Sequence, residues 1–420
     1  MKAFDQVIGY QMEKEELMQL CDMLRNRERY ERIGAKLPKG LLIYGKPGLG
    51  KTLMARCFAE ETGWPVLQVR RNKSSENFIQ ELDQAFQEAA KKAPAILLLD
   101  DMDKFAVKED SKEEYVALQA GIDAIEKQDV YVVATANDLD DIPDSLLRAG
   151  RFDRKLRITA PRGKDAEDII EHYLCKKNLG KTVCVSDIGK MLNGNSCAEL
   201  ETILNEAAIY AGYEHSDKIE MDHIVESVLR NEYGVSSRDN IDPQRRRLLA
   251  YHEAGHAVTA ELLHAGAVGM VSIRPRQRGK CGFMRTHIEV GLGEKDVLIS
   301  LAGPAAVEIV FSIREFGGEG DLQQAMRQLR RTVVNTGTRG FSFLESIYRD
   351  SEDLLYQEER VVVAEIERCM TQVKQMLIQN RGFLDAIAQA LCEKETLLYS
   401  DIQSIRKNCT IFPPHLDLFD

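Results

Sequence analysis

GLLIYGKPGLGKT, residues 40–52, sets a short apolar run against a glycine-rich turn that ends in lysine and threonine. GLLIY (40–44) is bounded by glycine and reads as a buried strand. GKPGLGKT (45–52) fits the spacing G-x-x-x-x-G-K-[ST], with the strand before it and a helix, TLMARCFAEETG, after it. Glycines let such a loop curl so that backbone N–H groups point at phosphates, and the helix N-terminus adds positive potential there. On this reading Pro47, Gly48, Leu49, Gly50 and Leu53 form the cradle, Lys51 reaches the β- and γ-phosphates of ATP, and the Thr52 hydroxyl holds Mg²⁺.

Outward from this stretch, apolar runs alternate with amphipathic helices. PVLQV (65–69), AILLL (95–99), VYVVAT (130–135) and KLRIT (155–159) read as further strands. Helical stretches lie between them: SENFIQELDQAFQEAAKKA and EEYVALQAGIDAIEKQ, with KEELMQLCDMLRNRERYERIG before the first strand. Alternation of this kind argues an α/β domain with a parallel sheet covered on both faces. Past Pro161 the pattern changes, and 164–232 reads as wholly helical. SSRDNIDP (236–243) is polar, ends in proline and reads as a linker. The remainder is mostly helix (244–265, 295–312, 321–335, 353–379 and 383–392), interrupted by a strand-like patch at 268–287. The expected domains are therefore 1–162, 163–235 and 242–405, with a C-terminal tail at 406–420, whose acidic end PPHLDLFD (413–420) reads as unstructured.

Bulk composition excludes several classes. Hydrophobic residues make up 44% and charged residues 29% of the 420, which suits globular domains with sizeable cores. The net charge of −11 disfavours nucleic acid and anionic membrane as partners, and runs such as Arg245-Arg246-Arg247 read as solvated helix faces. The nine cysteines are scattered, odd in number and without CxxC spacing, which fits a reducing cytoplasm better than a secreted disulfide framework. The N-terminal residues hold no apolar signal core, and no run approaches the ~20 apolar residues that span a bilayer, so a soluble chain without a membrane segment is expected.

Chemistry concentrates at three further places. In AILLLDDMD (95–103) Asp100 stands at a strand's end, placed to hold Mg²⁺, and Asp101 follows it as the group that would orient the attacking water. Both read alternatively as strand-end acids capping a turn. Asn137, at the end of VVATAN, offers a polar group to help position that water, and reads equally as a turn residue. In SLLRAGRFDR (145–154) Arg148 and Arg151 sit close together in a loop, where an arginine supplied to a neighbouring subunit would stabilise phosphoryl-transfer charge; surface salt bridges are the alternative. The third place is YHEAGHAV (251–258), within QRRRLLAYHEAGHAVTAELLHAG. Apolar residues recur there at helical spacing, so His252 and His256 lie one turn apart on one face and can reach one Zn²⁺, with Glu253 next to them as general base. A catalytic zinc needs a third protein ligand, and GGEGDLQQAMRQLRR (317–331) supplies a candidate, Asp321, which reads alternatively as a helix N-cap.

FDQVIGYQMEKEEL, LPKGLLIYGKPGLGKT and LLRAGRFDR, taken with YHEAGHAV, resemble the AAA+ ATPases of the FtsH type, the ATP-dependent zinc proteases, over about residues 3–400. The resemblance implies an α/β AAA+ domain, a helical lid and a mostly helical zinc peptidase domain. It makes Asn137 the sensor residue and Arg148 and Arg151 the trans-acting fingers. Ile8 and Gly9 would line the adenine pocket, and Gly194 to Leu200 (GNSCAEL) would open the lid helix near it. It also makes Asp321 the third ligand, matches LAGPAAVEIVF (301–311) to a Gly-Pro/Gly-Arg helix of the peptidase domain, and places substrate pairing along IRPRQRGKCGFM, near Cys281 to Met284, by β-addition. A homohexamer that threads protein substrates to a sequestered zinc site is the implied assembly.

The chain departs from the family pattern at three points. Asp101 stands where the family carries a glutamate, a side chain one methylene longer. In RRNKSSENFIQELDQAF the aromatic–hydrophobic–glycine triplet of the pore loop is reduced to Phe78-Ile79, and Phe78 reads as a core residue of the helix that follows. The family usually carries N-terminal transmembrane helices, and this sequence starts at the ATPase domain. Two other functions stay in view: a remodelling factor with a vestigial peptidase site, and an energy-independent zinc peptidase with a weak ATPase.

Overall fold

A computed structural model of the chain describes residues 3–71, 77–106, 112–148, 150–234, 242–275, 281–287, 293–313, 318–336 and 352–414. By compactness the chain divides into two units, Met1–Asn178 with Gly194–Asn205, and Leu179–Asn193 with Glu206–Asp420. The helical stretch expected at 163–235 is thus shared between them.

The first unit opens with α1 (Gln11–Arg25), which buries Leu17, Leu20, Cys21 and Leu24 at helical spacing, and α2 (Arg27–Arg32). There follow β1 (Gly40–Tyr44), α3 (Lys51–Thr62), β2 (Val66–Arg70), α4 (Phe78–Lys91), β3 (Ala95–Asp100), α5 (Lys112–Ala124), β4 (Val130–Ala136), β5 (Arg154–Arg157) and α6 (Gly163–Leu174). The strands form one sheet in the order β2-β3-β4-β1-β5, with every pairing parallel. β3 and β4 are buried along their whole length, as central parallel strands covered on both faces should be. The outer strands, β2 and β5, bury only Val69 and Leu156. The parallel register brings Tyr44 beside Ala136 and Arg70 beside Asp100, so the strands' C-terminal ends lie in one row. Open α/β sheets bind their ligands along that edge.

Phe78 starts α4, is 2% exposed, and packs against Phe105 with ring centroids 5.0 Å apart. It is a core residue. The preceding residues 72–76 lie outside the described ones.

The second unit contains α7 (Val185–Met191), the C-terminal part of α8 (Cys197–Tyr213), α9 (Met221–Tyr233), α10 (Pro243–Leu263), β6 (Val268–Pro275), β7 (Cys281–Thr286), α11 (Glu294–Phe311), α12 (Glu319–Thr336), α13 (Glu352–Gln379), α14 (Arg381–Lys394), β8 (Thr396–Leu398) and α15 (Tyr399–Asn408). Asp242 caps α10, its carboxylate accepting from the N–H groups of Gln244 and Arg245, with Pro243 at the first helical position. α10 is buried almost throughout from Leu249 to Leu262. Small residues let α11 approach it closely: a side chain at Gly255 would put Cβ 2.7 Å from Ala306. β7, β6 and β8 form an antiparallel sheet in that order, so β7 has β6 alone as its partner among the described residues. The helix α15 runs past residue 405, where the domain was expected to end, and residues 415–420 lie outside the described ones. Among the described residues no helix is long and apolar enough to cross a membrane.

Candidate active sites

The glycine loop leaves the C-terminal end of β1 and enters α3. Gly48 and Gly50 take positive φ values of 78° and 85°, which favour glycine. Gly48 faces the start of α8: its carbonyl accepts from the N–H of Ala198, and a Cβ there would stand 2.9 Å from that of Ala198. Gly194 sits just ahead of that helix with φ 86°. Lys51 is buried, and its ammonium donates to the carbonyls of Gly45 (2.7 Å) and Lys46 (2.9 Å) and to Oδ1 of Asn137 (3.0 Å). Burial lowers its pKa against the pull of Asp103, Asp101 and Asp100. The Thr52 hydroxyl donates to Asp100 Oδ1 at 2.8 Å, and Thr135 donates to the same oxygen at 2.8 Å. Lys51, Thr52, Asp100 and Asn137, separate in sequence, are thus brought together. Leu49 is buried behind the loop, while Leu53 is on the exposed side of α3.

Asp101 takes a left-handed backbone conformation (φ 56°) and ion-pairs with Arg70 (3.2 Å) and Lys104 (2.6 Å). Partial burial works against its negative charge, but the two cations outweigh that and hold the carboxyl below its usual range. Ile8 and Gly9 line an open cleft of about 560 Å³ with Phe4, Val7, His172 and Cys175. The guanidinium of Arg151 is engaged within its own chain, by Asp123 (2.9 and 2.8 Å) and the carbonyl of Ser145 (2.6 Å); Arg148 is exposed.

In the second unit α10 carries His252, Glu253 and His256, all buried. Asp321 lies inside the first turn of α12, since that helix starts at Glu319, so it does not serve as the N-cap. Its Oδ2 is 3.0 Å from His252 Nε2 and 3.6 Å from His256 Nε2, and the two Nε2 atoms are 3.2 Å apart. One donor atom from each residue falls within 4.8 Å of the others, the spacing of a shared metal. The ring of His256 is oriented from behind. Its Nδ1 lies 2.7 Å from the carbonyl of Ile299, which can only accept, so Nδ1 carries a proton and Nε2 is the nitrogen that faces the cluster. His252 Nδ1 is buried without a hydrogen-bond partner among the described residues.

The electrostatics favour a cation here. Burial would raise the Asp321 carboxyl, but the two imidazoles hold it far below its usual range. Burial works against a charged His256, yet contact with Asp321 and the charge of Glu253 push its pKa up to about 9. Burial lowers that of His252. Two imidazoles and an anionic carboxylate are a donor set that suits zinc, so the residues present fit the metal.

Two glycines crowd the site: Gly282 falls within the stretch expected to pair with substrate, and Gly303 within LAGPAAVEIVF. A Cβ at Gly303 on α11 would stand 2.7 Å from His252 Nε2 and closer still to His256 Nε2. A Cβ at Gly282 on β7 would come within 2.5 Å of the Glu253 carboxyl carbon. The strand expected to pair with substrate, Cys281 to Met284, therefore runs past the glutamate, although the side chain of Cys281 lies outside the described ones. Residues 276–280, between the two strands of IRPRQRGKCGFM, also lie outside them.

Known proteins resemble this chain over both regions. Residues 41–160 match the ATPase family associated with various cellular activities (AAA), and residues 239–405 match peptidase family M41. The ATP-dependent zinc metalloprotease FtsH of Thermus thermophilus is 34% identical, covering 98% of this chain and 72% of its own length. ATP-dependent zinc metalloprotease FtsH 1 of Alkaliphilus metalliredigens is 32% identical over 96% of this chain and 73% of its own. FtsH 3 of Synechocystis is 30% identical over 97% and 73%. An AAA nucleotide loop followed by an M41 peptidase segment, aligned with these relatives along nearly its whole length, makes the chain a member of the FtsH family of ATP-dependent zinc metalloproteases.

Proposed function

We propose that this protein is an ATP-dependent zinc endopeptidase that works as a homohexamer on unfolded or partly folded protein substrates. The observation that carries the reading is the convergence of His252, His256 and Asp321 beside Glu253, in a chain that also joins Lys51, Thr52 and Asp100 at a phosphate loop. Residues 1–162 and 163–235 would act as the nucleotide-binding and lid domains, 242–405 as the peptidase domain, and 406–420 as a tail.

His252, His256 and Asp321 would hold the zinc. When bound it supplies Lewis acidity, which acidifies water and polarises a carbonyl. Glu253, buried beside the pair, takes the proton of the attacking water and returns it to the leaving amine. β7, an edge strand among the described residues, would offer its outer side to an extended substrate backbone, an arrangement that reads little sequence. At the other site the loop N–H groups and Lys51 hold the triphosphate, Thr52 and Asp100 hold Mg²⁺, Asp101 and Asn137 orient water, and Ile8, Gly9 and Gly194 border the adenine. Exposed Arg148 suits a finger directed at a neighbouring subunit, and Arg151 would have to leave Asp123 to join it.

Glu253→Gln should abolish peptide hydrolysis and leave ATP turnover intact. A variant that still cuts an unfolded substrate at full rate would remove Glu253 from the chemistry. One observation favours a second reading, a zinc peptidase with a weak ATPase: Asp101 is short and already paired with Arg70 and Lys104. Degradation of an unstructured and a folded protein, each with and without ATP, separates the two. Only the first reading requires ATP for the folded substrate.

A further inference from the structure

The stretch AILLLDDMD holds a third aspartate that the reaction as described leaves unused. Asp103 sits in the short turn after β3, across the row of strand ends from Asn137. Its Oδ2 accepts from the Asn137 side-chain amide at 2.6 Å and from the Asn137 backbone N–H at 3.4 Å. A carboxylate can only accept, so this clasp decides which way the amide faces. The NH₂ turns to Asp103 and the carbonyl oxygen turns to Lys51, 3.0 Å away. The other Asp103 oxygen, Oδ1, is buried and has no hydrogen-bond partner among the described residues.

We propose that Asp103 is a positioning residue of the ATPase site, holding Asn137 so that it presents an acceptor, rather than a donor, on the Lys51 side. This rests on the ATPase reading given above. The chemistry follows from what the reactants can offer. Phosphate oxygens accept hydrogen bonds, and an acceptor aimed at them repels. Of the species in ATP hydrolysis, the attacking water is the one with protons to give. An acceptor oxygen on Asn137 therefore selects and orients water. Released from Asp103, the amide can turn over and present its NH₂ to the phosphate, which strengthens ground-state binding without aligning the nucleophile. Asp101, in its left-handed turn with two cationic partners, is less free for this task than its place in the sequence implies.

Three measurements on full-length protein test the inference: kcat and KM for ATP, affinity for a non-hydrolysable ATP analogue, and thermal stability. Asp103→Ala should lower kcat on the order of ten- to a hundredfold, as misplacing a reacting group by ~1 Å does. Analogue affinity should stay within about threefold of wild type or tighten, since the cradle is untouched. Asp103→Asn keeps an acceptor oxygen for the Asn137 amide and should recover most of the lost rate. Asp103→Ala hydrolysing ATP at the wild-type rate would overturn the inference. So would Asp103→Asn as slow as Asp103→Ala, or affinity and stability falling in step with rate, which mark a structural role. Failure of the wild-type chain to bind the analogue would be a different result: it would sink the ATPase reading itself, and this inference with it.

Discussion

The substitution Gly303→Ala probes how closely α11 crosses behind the histidine pair. An added methyl would stand 2.7 Å from His252 Nε2 and nearer to His256 Nε2. Ordinary contacts lie at about 3.5–4.0 Å, so both rings must retreat by about 1 Å. His256 has little room to do so, because its Nδ1 is tied to the carbonyl of Ile299 on the same helix at 2.7 Å. Helix propensity acts in the opposite direction: alanine in place of an interior glycine gains about 0.8–1.0 kcal/mol. Overpacking costs about 1–3 kcal/mol, so the metal-free fold should lose about 2 kcal/mol at most. Zinc binding should suffer more. Ligand distances tolerate only about ±0.2 Å, and disturbing the groups that orient a ligand weakens metal affinity about 10- to 100-fold, or about 1.4–2.8 kcal/mol. The assay is chelator competition for zinc, with thermal unfolding of metal-free and zinc-loaded protein alongside. The reasoning expects a weaker zinc affinity and a smaller zinc-induced rise in Tm. Wild-type affinity and an unchanged rise would refute it.

Other consequences follow from the same contacts. Gly282→Ala places a methyl within 2.5 Å of the Glu253 carboxyl carbon at a backbone φ of 79°, so peptide cleavage should fall at least tenfold while zinc content holds; unchanged cleavage would mean that β7 does not pass the glutamate as described. Arg274→Met removes one of the two cations on Glu226, from an ion pair of 2.5 Å that is 6% and 9% exposed, and leaves Arg230 at 2.7 Å, so it should cost about 1–3 kcal/mol by urea unfolding, with no measurable loss contradicting it. Burial raises the Glu226 carboxyl, but Arg274 and Arg230 outweigh that and leave it lowered. Its contribution to stability is therefore present above the ordinary glutamate value of about 4.3 and is lost as pH falls from there toward the folded value. Between about pH 5 and pH 3 the wild type should lose more stability than Glu226→Gln, and equal losses would show that the pair is not titrating as described.

Much of the fold was legible because local pattern and tertiary environment agree. β3 is buried at every position, and AILLL announced it as an unbroken apolar run. β8 and α15 went unread for the opposite reason. TLL is too short to show a period, and α15 buries only Ile402. What ties α15 down is long-range: Ser400 donates to Asp187 at 2.6 Å, and Arg406 to the buried Glu261. The helical segment 163–235 is shared between two compact units, and no compositional shift marks that division.

The sites show the same contrast. His252 and His256 were readable from spacing, since four residues on a helix return to one face. Asp321 required the family resemblance, because its carboxylate meets the imidazoles across a long stretch of chain. The contacts of Gly303, Gly282 and the carbonyl of Ile299 with the site residues were not readable, since they depend on how closely α11 and β7 approach α10. Asp103 lay in a quoted motif, but its role emerged only with Asn137 beside it.

The convergence of three side chains on one metal ion is tested most directly by X-ray absorption at the zinc edge of the purified, metal-replete protein. The account expects one zinc per chain, two imidazoles and oxygen in its shell, and nitrogen or oxygen neighbours at about 2.0–2.1 Å. Replacing Asp321 with alanine should remove a protein oxygen or strip the metal. No zinc, a single imidazole, or sulfur at about 2.3 Å would contradict the centre described here.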